Sequence, residues 1–269
     1  MFSLGSAANF LWVLTCFIRL VCAPILLMQG RKVRQRTLRL PEAKGVRMGL
    51  ETVPSCRQHP PLRLLVLGDS SAAGVGVDQQ KQALAQPIAC HLARLTGRNI
   101  HWQLWAQSGL DSVSALDKLQ NEWQAQIQAA DVVLVVLGVN DVSAQRRPTV
   151  FSQHYAALLQ TLAQATGAKC LLANALPPMQ KMQALPWPLR PYLGLYARTL
   201  DLALQQLCRE NAKNPQTQAQ TQYLGAPAAL AQCSTAADGF HPGADAYRTW
   251  AEWAACRMAQ ALHYHPSPC

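Results

Sequence analysis

Three short polar clusters in this 269-residue chain hold side chains capable of nucleophilic and acid–base chemistry. Gly68-Asp69-Ser70-Ser71 ends one apolar run, Gly138-Val139-Asn140-Asp141 ends another, and Asp238-Gly239-Phe240-His241-Pro242-Gly243 lies near the C-terminus. A serine hydroxyl attacks a carbonyl only when a base takes its proton and hydrogen-bond donors receive the oxyanion that forms. An acid three residues ahead of a histidine allows one short loop to present His241 to Ser70, while Asp238 fixes the ring tautomer and stabilises the imidazolium. The expected oxyanion donors are the backbone N–H groups of Ser70 and Gly109, the latter from Ser108-Gly109-Leu110-Asp111, and the side-chain amide of Asn140. Each cluster alone also reads as an ordinary turn, a strand-to-helix turn or a helix start. Their joint occurrence, in this order and after these apolar runs, is what points to chemistry.

The elements that must carry these residues alternate along the chain. Residues 62–67 form a short apolar run, and residues 131–137 (Asp-Val-Val-Leu-Val-Val-Leu) are β-branched and apolar on both faces, as buried parallel strands are. Residues 100–105, 169–174 and 222–224 are weaker strand candidates. Between the strands, Val113, Leu116, Leu119, Trp123 and Ile127 recur at helical spacing, as do Tyr155, Leu158, Leu159 and Leu162, then Leu200, Leu204 and Leu207. A further helix is predicted from Ala244 to about Leu262. This is the pattern of an α/β domain with a mainly parallel sheet, in which ligands bind beyond the carboxyl ends of the strands. The polar stretch 211–222 reads as a surface loop. Residues 176–194, apolar, aromatic and stiffened by prolines, follow the fourth strand and line an acyl pocket, touch lipid or pack on the domain.

Half of the residues are hydrophobic and 14% are charged, so a buried core is available and wholesale disorder is excluded. The net charge of +10 is concentrated at the N-terminus, where residues 1–50 hold eight of the 24 Lys and Arg and one acid, Glu42. No zinc-finger spacing, helix-turn-helix or aromatic-interleaved basic stripe accompanies it, so nucleic acid is not an expected partner. Nine scattered cysteines, with no CxxC, read as reduced thiols rather than a metal site or a disulfide framework, with a Cys233–Cys256 bridge as the alternative in an oxidising compartment. His91, His101 and His154 fall in or beside regular elements, His59 in a linker, and His263 and His265 in the tail.

Residues 7–28 are almost continuously apolar and long enough to cross a bilayer, interrupted only by Arg19. Arg31, Lys32, Arg34, Arg36 and Arg39 follow, an arrangement that opposes a cleaved signal peptide and, by the positive-inside rule, predicts the N-terminus outside and the domain in the cytoplasm. A periplasmic domain is the reverse orientation. The alternative to spanning is a helix lying in the interface, with the basic cluster on anionic lipid. The expected organisation is a membrane-anchor helix over 1–30, a basic, proline-containing linker over 31–61 and a catalytic domain over 62–269.

These blocks resemble the SGNH hydrolase superfamily, the GDSL-type lipases and esterases. Gly68-Asp69-Ser70 matches its nucleophile block, Gly109 its second block, Gly138-Val139-Asn140-Asp141 its GxND block and Asp238-Gly239-Phe240-His241 its DxxH block. The resemblance implies a three-layer α/β/α domain with a flavodoxin-like five-stranded sheet, a Ser70–His241–Asp238 triad and an oxyanion hole of Ser70, Gly109 and Asn140. It also selects Ser70 over Ser71, and it implies neither metal nor organic cofactor. Two departures, Ser71 where the family name has Leu and the missing Asn upstream of Gly109, concern the subfamily rather than the catalytic groups. The expected function is hydrolysis of a carboxylic ester or thioester, lipid esters ranking first because of the membrane segment. The alternatives are a membrane-tethered scaffold that retains the fold, and an acyltransferase. Asp69 and Asp141 are expected to order their loops.

Overall fold

A computed structural model describes residues 5–54, 59–214 and 219–264. A six-stranded sheet runs through the centre, built from β1 (Met48–Glu51), β2 (Leu62–Gly68), β3 (Ile100–Ala106), β4 (Val132–Val136), β5 (Cys170–Asn174) and β6 (Gln220–Leu224) in the order β1-β3-β2-β4-β5-β6. All neighbours pair in parallel except β1 with β3. Every residue of β4 and β5 is buried, which is why β4 reads as an unbroken apolar run; β5 is apolar up to its last residue, Asn174.

The chain moves from β2 outward to β3, then returns across β2 to β4 and continues to β6. Right-handed crossovers therefore place helices on opposite faces of the sheet. One face is covered by α2 (Ala85–Thr96) and α7 (Ala244–Ala261), the other by α3 (Ser112–Lys118), α5 (Pro148–Thr166) and α6 (Leu189–Lys213). Short α4 (Val139–Ser143) follows β4. Leaving β1 aside, this is the flavodoxin-like order, and the point where the chain reverses direction lies beside β2, so a crevice opens beyond Gly68.

Several expectations are corrected. The sheet has six strands rather than five, because residues 48–51 of the expected linker pair with β3 as an edge strand. That strand is held by Arg47, which donates to Glu42 and to the Ala106 carbonyl, while Glu42 accepts from the Ser108 amide. The stretch 211–222 is not one loop: α6 runs to Lys213 and β6 begins at Gln220, with residues 215–218 outside the described set. The N-terminal helix α1 spans Ser6–Arg36, continuing past its apolar part because Arg, Lys and Gln are good helix formers. Cys233 is a free thiol and does not bridge Cys256. The expectation of uniformly reduced thiols also fails, since Cys256 is disulfide-bonded, its partner lying outside the described residues. His265 lies there too.

Helix α1 is long and apolar enough to cross a membrane. It is not detached from the domain. It lies against α6, with Trp12 edge-on to Tyr196 at 5.7 Å and the Gln29 side chain donating to the Trp187 carbonyl and accepting from the Leu189 amide.

Candidate active site

The crevice is built from three loops that must approach within hydrogen-bonding distance, and small residues make that approach possible. At Gly68 a Cβ would lie 2.5 Å from the Val136 carbonyl, so only glycine lets β2 leave the sheet this close to β4. Asp69 then donates its amide to Val136, and its Oδ1 accepts from the Ser71 amide, closing a tight turn that exposes Ser70. The turn is held from the far side by Tyr247 of α7, whose hydroxyl reaches the carbonyls of Ser71 and Val75.

The second loop carries Asp238 and His241. Asp238 Oδ1 accepts from the Phe240 and His241 amides at 2.9 and 3.0 Å, and Oδ2 lies 2.5 Å from His241 Nδ1. His241 Nε2 lies 2.8 Å from Ser70 Oγ, completing a continuous line from carboxylate to hydroxyl. Burial works to raise the Asp238 pKa, but the His241 ring and the two backbone amides outweigh it and hold the carboxyl below its ordinary range. The loop fits against the Ser70 turn because Gly76, at φ +108, passes where a Cβ would meet the Pro242 carbonyl at 2.5 Å. No chemical signal in the sequence marks Gly76; a glycine two residues after Gly74 reads only as turn material. Tyr247 was equally silent, as one more apolar position of a helix.

The third cluster joins the second and third motifs. Gly138, at φ +132, turns the chain into α4, and Asn140 donates to the Leu110 carbonyl at 2.9 Å and approaches Asp69 Oδ2 at 3.5 Å. One amide thereby ties the residue after Gly109 to the residue before Ser70. Gly109 is exposed, at φ +88. Among the described residues, no acceptor pairs with the backbone N–H of Ser70 or of Gly109. The structure thus brings Ser70, His241, Asp238, Asn140 and the Gly109 loop to one end of the sheet.

Asp69 and Asp141 act as loop acceptors. Asp141 is fully buried and accepts from the amide and hydroxyl of Ser112 at the start of α3, with Arg146 Nε at 4.0 Å. Arg146 also pairs with Asp111. Burial pushes Asp69 up to about 7 and Asp141 up to about 6. Both therefore hold protons in the folded state that the unfolded chain releases near pH 4. Their contribution to stability is complete below that value and is lost as pH rises through about 6 and 7. The Asp238 contribution has the opposite sign and is lost only in acid. Thermal unfolding is accordingly expected several degrees lower at pH 8 than at pH 6, and Asp69→Asn should shrink that difference. Identical pH dependence in wild type and variant, measured by calorimetry, would show that Asp69 is ionised throughout.

The expected structural histidines sit away from this cluster. His154 Nδ1 contacts the Val150 carbonyl within α5, and His91 lies 3.8 Å from Glu252 of α7. The proline-rich segment after β5 buries Leu176, Met179 and Leu185 but leaves Trp187 75% exposed.

Residues 66–249 match the model of the GDSL-like lipase/acylhydrolase family. Among solved structures, the chain is similar to the lipase Lip_vut3 from a goat rumen metagenome, at 18% identity over 76% of this chain and 98% of that one, with a TM-score of 0.55. It is also similar to the psychrotrophic esterase EstA from Pseudoalteromonas sp., at 19% identity over 75% and 98% of the two chains, with a TM-score of 0.53. A carbohydrate esterase family 3 protein from Talaromyces cellulolyticus gives 14% identity over 75% and 98%, with a TM-score of 0.54. No curated protein matches. At these identities the structures speak for the fold alone, while the family match spans most of the chain and includes all of the clustered residues. This chain belongs to the GDSL-like lipase/acylhydrolase family, a family of ester hydrolases.

Proposed function

We propose that the chain hydrolyses carboxylic esters or thioesters through Ser70, His241 and Asp238. The observation that carries this reading is the unbroken hydrogen-bond line Asp238–His241–Ser70, with contacts of 2.5 and 2.8 Å. With Nδ1 donating to Asp238, the ring nitrogen facing Ser70 is the acceptor, so His241 can take the hydroxyl proton as Ser70 Oγ attacks the ester carbonyl. The oxyanion is received by the Ser70 and Gly109 N–H groups, both unpaired among the described residues, and by the Asn140 N–H that otherwise makes only the long 3.5 Å approach to Asp69 Oδ2 and turns from it to the stronger acceptor. His241 then returns the proton to the departing alcohol or thiol. Water, activated by the same ring, cleaves the acyl-enzyme and restores Ser70.

The reading is tested by exposing wild type and Ser70→Ala to a fluorophosphonate probe and to short and long acyl esters. Wild type is expected to label and turn over, the variant to do neither. A wild type that neither labels nor hydrolyses is a scaffold, and transfer to an added acceptor alcohol in preference to water marks an acyltransferase.

Asn140→Ala should lower kcat by about 10²–10³-fold, because it removes one oxyanion donor and frees the Leu110 carbonyl that positions the Gly109 loop. KM should change little. Steady-state kinetics on a soluble ester will decide, and an unaltered kcat removes Asn140 from the oxyanion site.

A further inference from the structure

The N-terminal helix has a surface that the hydrolase fold does not explain. Towards α6 it turns Ala8, Trp12, Thr15, Ile18, Cys22 and Leu26, all buried or half-buried. Directly opposite lie Phe10, Val13, Phe17, Leu20, Val21 and Met28, between 62% and 79% exposed. Helical spacing puts these six on one continuous outward face with no charge among them. Arg19, the single charge between Phe10 and Met28, belongs to the other side. It lines a cavity of about 470 Å³ with Trp12, Cys16 and Arg147, and its charge acts on Tyr192 and Tyr196 of α6. Beyond Met28, the exposed residues become basic: Arg31, Lys32, Arg34 and Arg36.

α1 and α6 run antiparallel, Gly5 lying near Gln206 while Gln29 bonds Leu189. At 1.5 Å per residue α1 is about 46 Å long, so α6 accompanies it over most of its length. A docked α1 cannot cross the hydrocarbon without taking α6 in with it, including exposed Arg198 and Arg209. The docked arrangement instead suits a helix lying parallel to the surface, immersed on one face.

We propose that α1, docked on α6, holds the protein in the plane of an anionic lipid bilayer, with its outward apolar face immersed and Arg31, Lys32, Arg34 and Arg36 on the headgroups. Charge complementarity selects anionic lipid over a second copy of the chain, whose identical basic cluster would repel it. Trp187 is exposed as well, and Gln29 fastens its carbonyl to α1. The segment carrying Trp187 follows β5 at the Ser70 end of the sheet and packs on the His241 loop, where a Cβ on Gly239 would meet Ala184 Cβ at 2.9 Å. The segment fastened to α1 at Trp187 therefore also contacts the loop that carries His241. On the reading of Ser70 as nucleophile, the favoured substrate class is an acyl ester of an amphiphile resident in that membrane.

The full chain is tested by flotation with sealed vesicles of phosphatidylcholine alone or with phosphatidylglycerol. Wild type and Ser70→Ala should float equally with the anionic vesicles. Phe17→Glu/Leu20→Glu, on exposed positions, should abolish flotation and hydrolysis of a long-chain ester held in the vesicles, yet leave hydrolysis of a water-soluble short ester unchanged. Arg31→Gln/Lys32→Gln should weaken partitioning about 30-fold, corresponding to about 1 kcal/mol for each cation. Equal flotation with neutral vesicles, or a lipid-free dimer that does not float, overturns the proposal. A nitrobenzoxadiazole label at Ser6 or Arg36 in chain synthesised with sealed vesicles separates lying from spanning. External dithionite should bleach both labels, and protection of either end until detergent is added refutes the in-plane arrangement. Flotation without hydrolysis of any ester sinks the nucleophile reading and leaves the membrane surface standing.

Discussion

Ser70→Ala is expected to lower kcat on a soluble ester by about 10⁵–10⁶-fold. Alanine has no oxygen to form the acyl-enzyme, so what remains is attack by water on a substrate held by the oxyanion donors. That residue should still exceed the uncatalysed rate by about 10³–10⁴-fold. KM should hold within a few-fold. Folding should be little disturbed, because the half-buried Ser70 side chain makes one hydrogen bond among the described residues, to His241. Adding His241→Ala to Ser70→Ala should cost little more, since members of such a unit lose activity together rather than independently. Kinetics and calorimetry on the two variants check both statements. A Ser70→Ala protein retaining a tenth of wild-type activity would move the nucleophile elsewhere, with the neighbouring Ser71 the next to be substituted.

Asp238→Asn is expected to lower kcat by about 10⁴-fold while leaving the fold intact. The carboxylate holds two backbone amides with Oδ1 and the His241 ring with Oδ2. An asparagine keeps its carbonyl on the amides and turns its NH₂ towards Nδ1. That ring nitrogen must then accept, which moves the proton to Nε2, the atom that has to receive a proton from Ser70. The loss therefore comes from the wrong tautomer rather than from a displaced loop. Proton NMR of the imidazole should find the ring hydrogen on Nε2 in the variant and on Nδ1 in wild type. An Asp238→Asn enzyme within tenfold of wild type would mean that His241 does not depend on this partner.

Much of this arrangement was legible because buried parallel strands leave a strong mark. The wholly buried β4 is written entirely in β-branched and aliphatic residues, and the polar residues directly after β2 and β4 then stand out, whereas β5, which closes on buried Asn174, left a weaker mark. β1 was illegible for the converse reason. Met48–Glu51 is a half-exposed edge strand whose register is set by Arg47, Glu42 and the partner strand rather than by its own pattern. The docking of α1 was hidden because hydropathy reports an amount, not a direction: the stripe facing α6 is nearly as apolar as the stripe facing away. In the crevice, the polar groups of the proposed triad announced themselves by type and order, whereas residues that only permit close approach did not. Gly76 matters through a carbonyl 166 residues further along the chain, and no local spacing encodes that distance.

The Ser70–His241 contact joins residues 171 positions apart. Between them the chain must lay down β3 to β6, and α7 must follow before Tyr247 can brace the Ser70 turn. Closing so long a loop is a late event in folding. During synthesis, a growing chain can thus expose Ser70 before His241, its base in the proposed triad, has formed. Ester cleavage becomes a readout of the last tertiary step, and recovery of activity on refolding should trail the return of secondary structure.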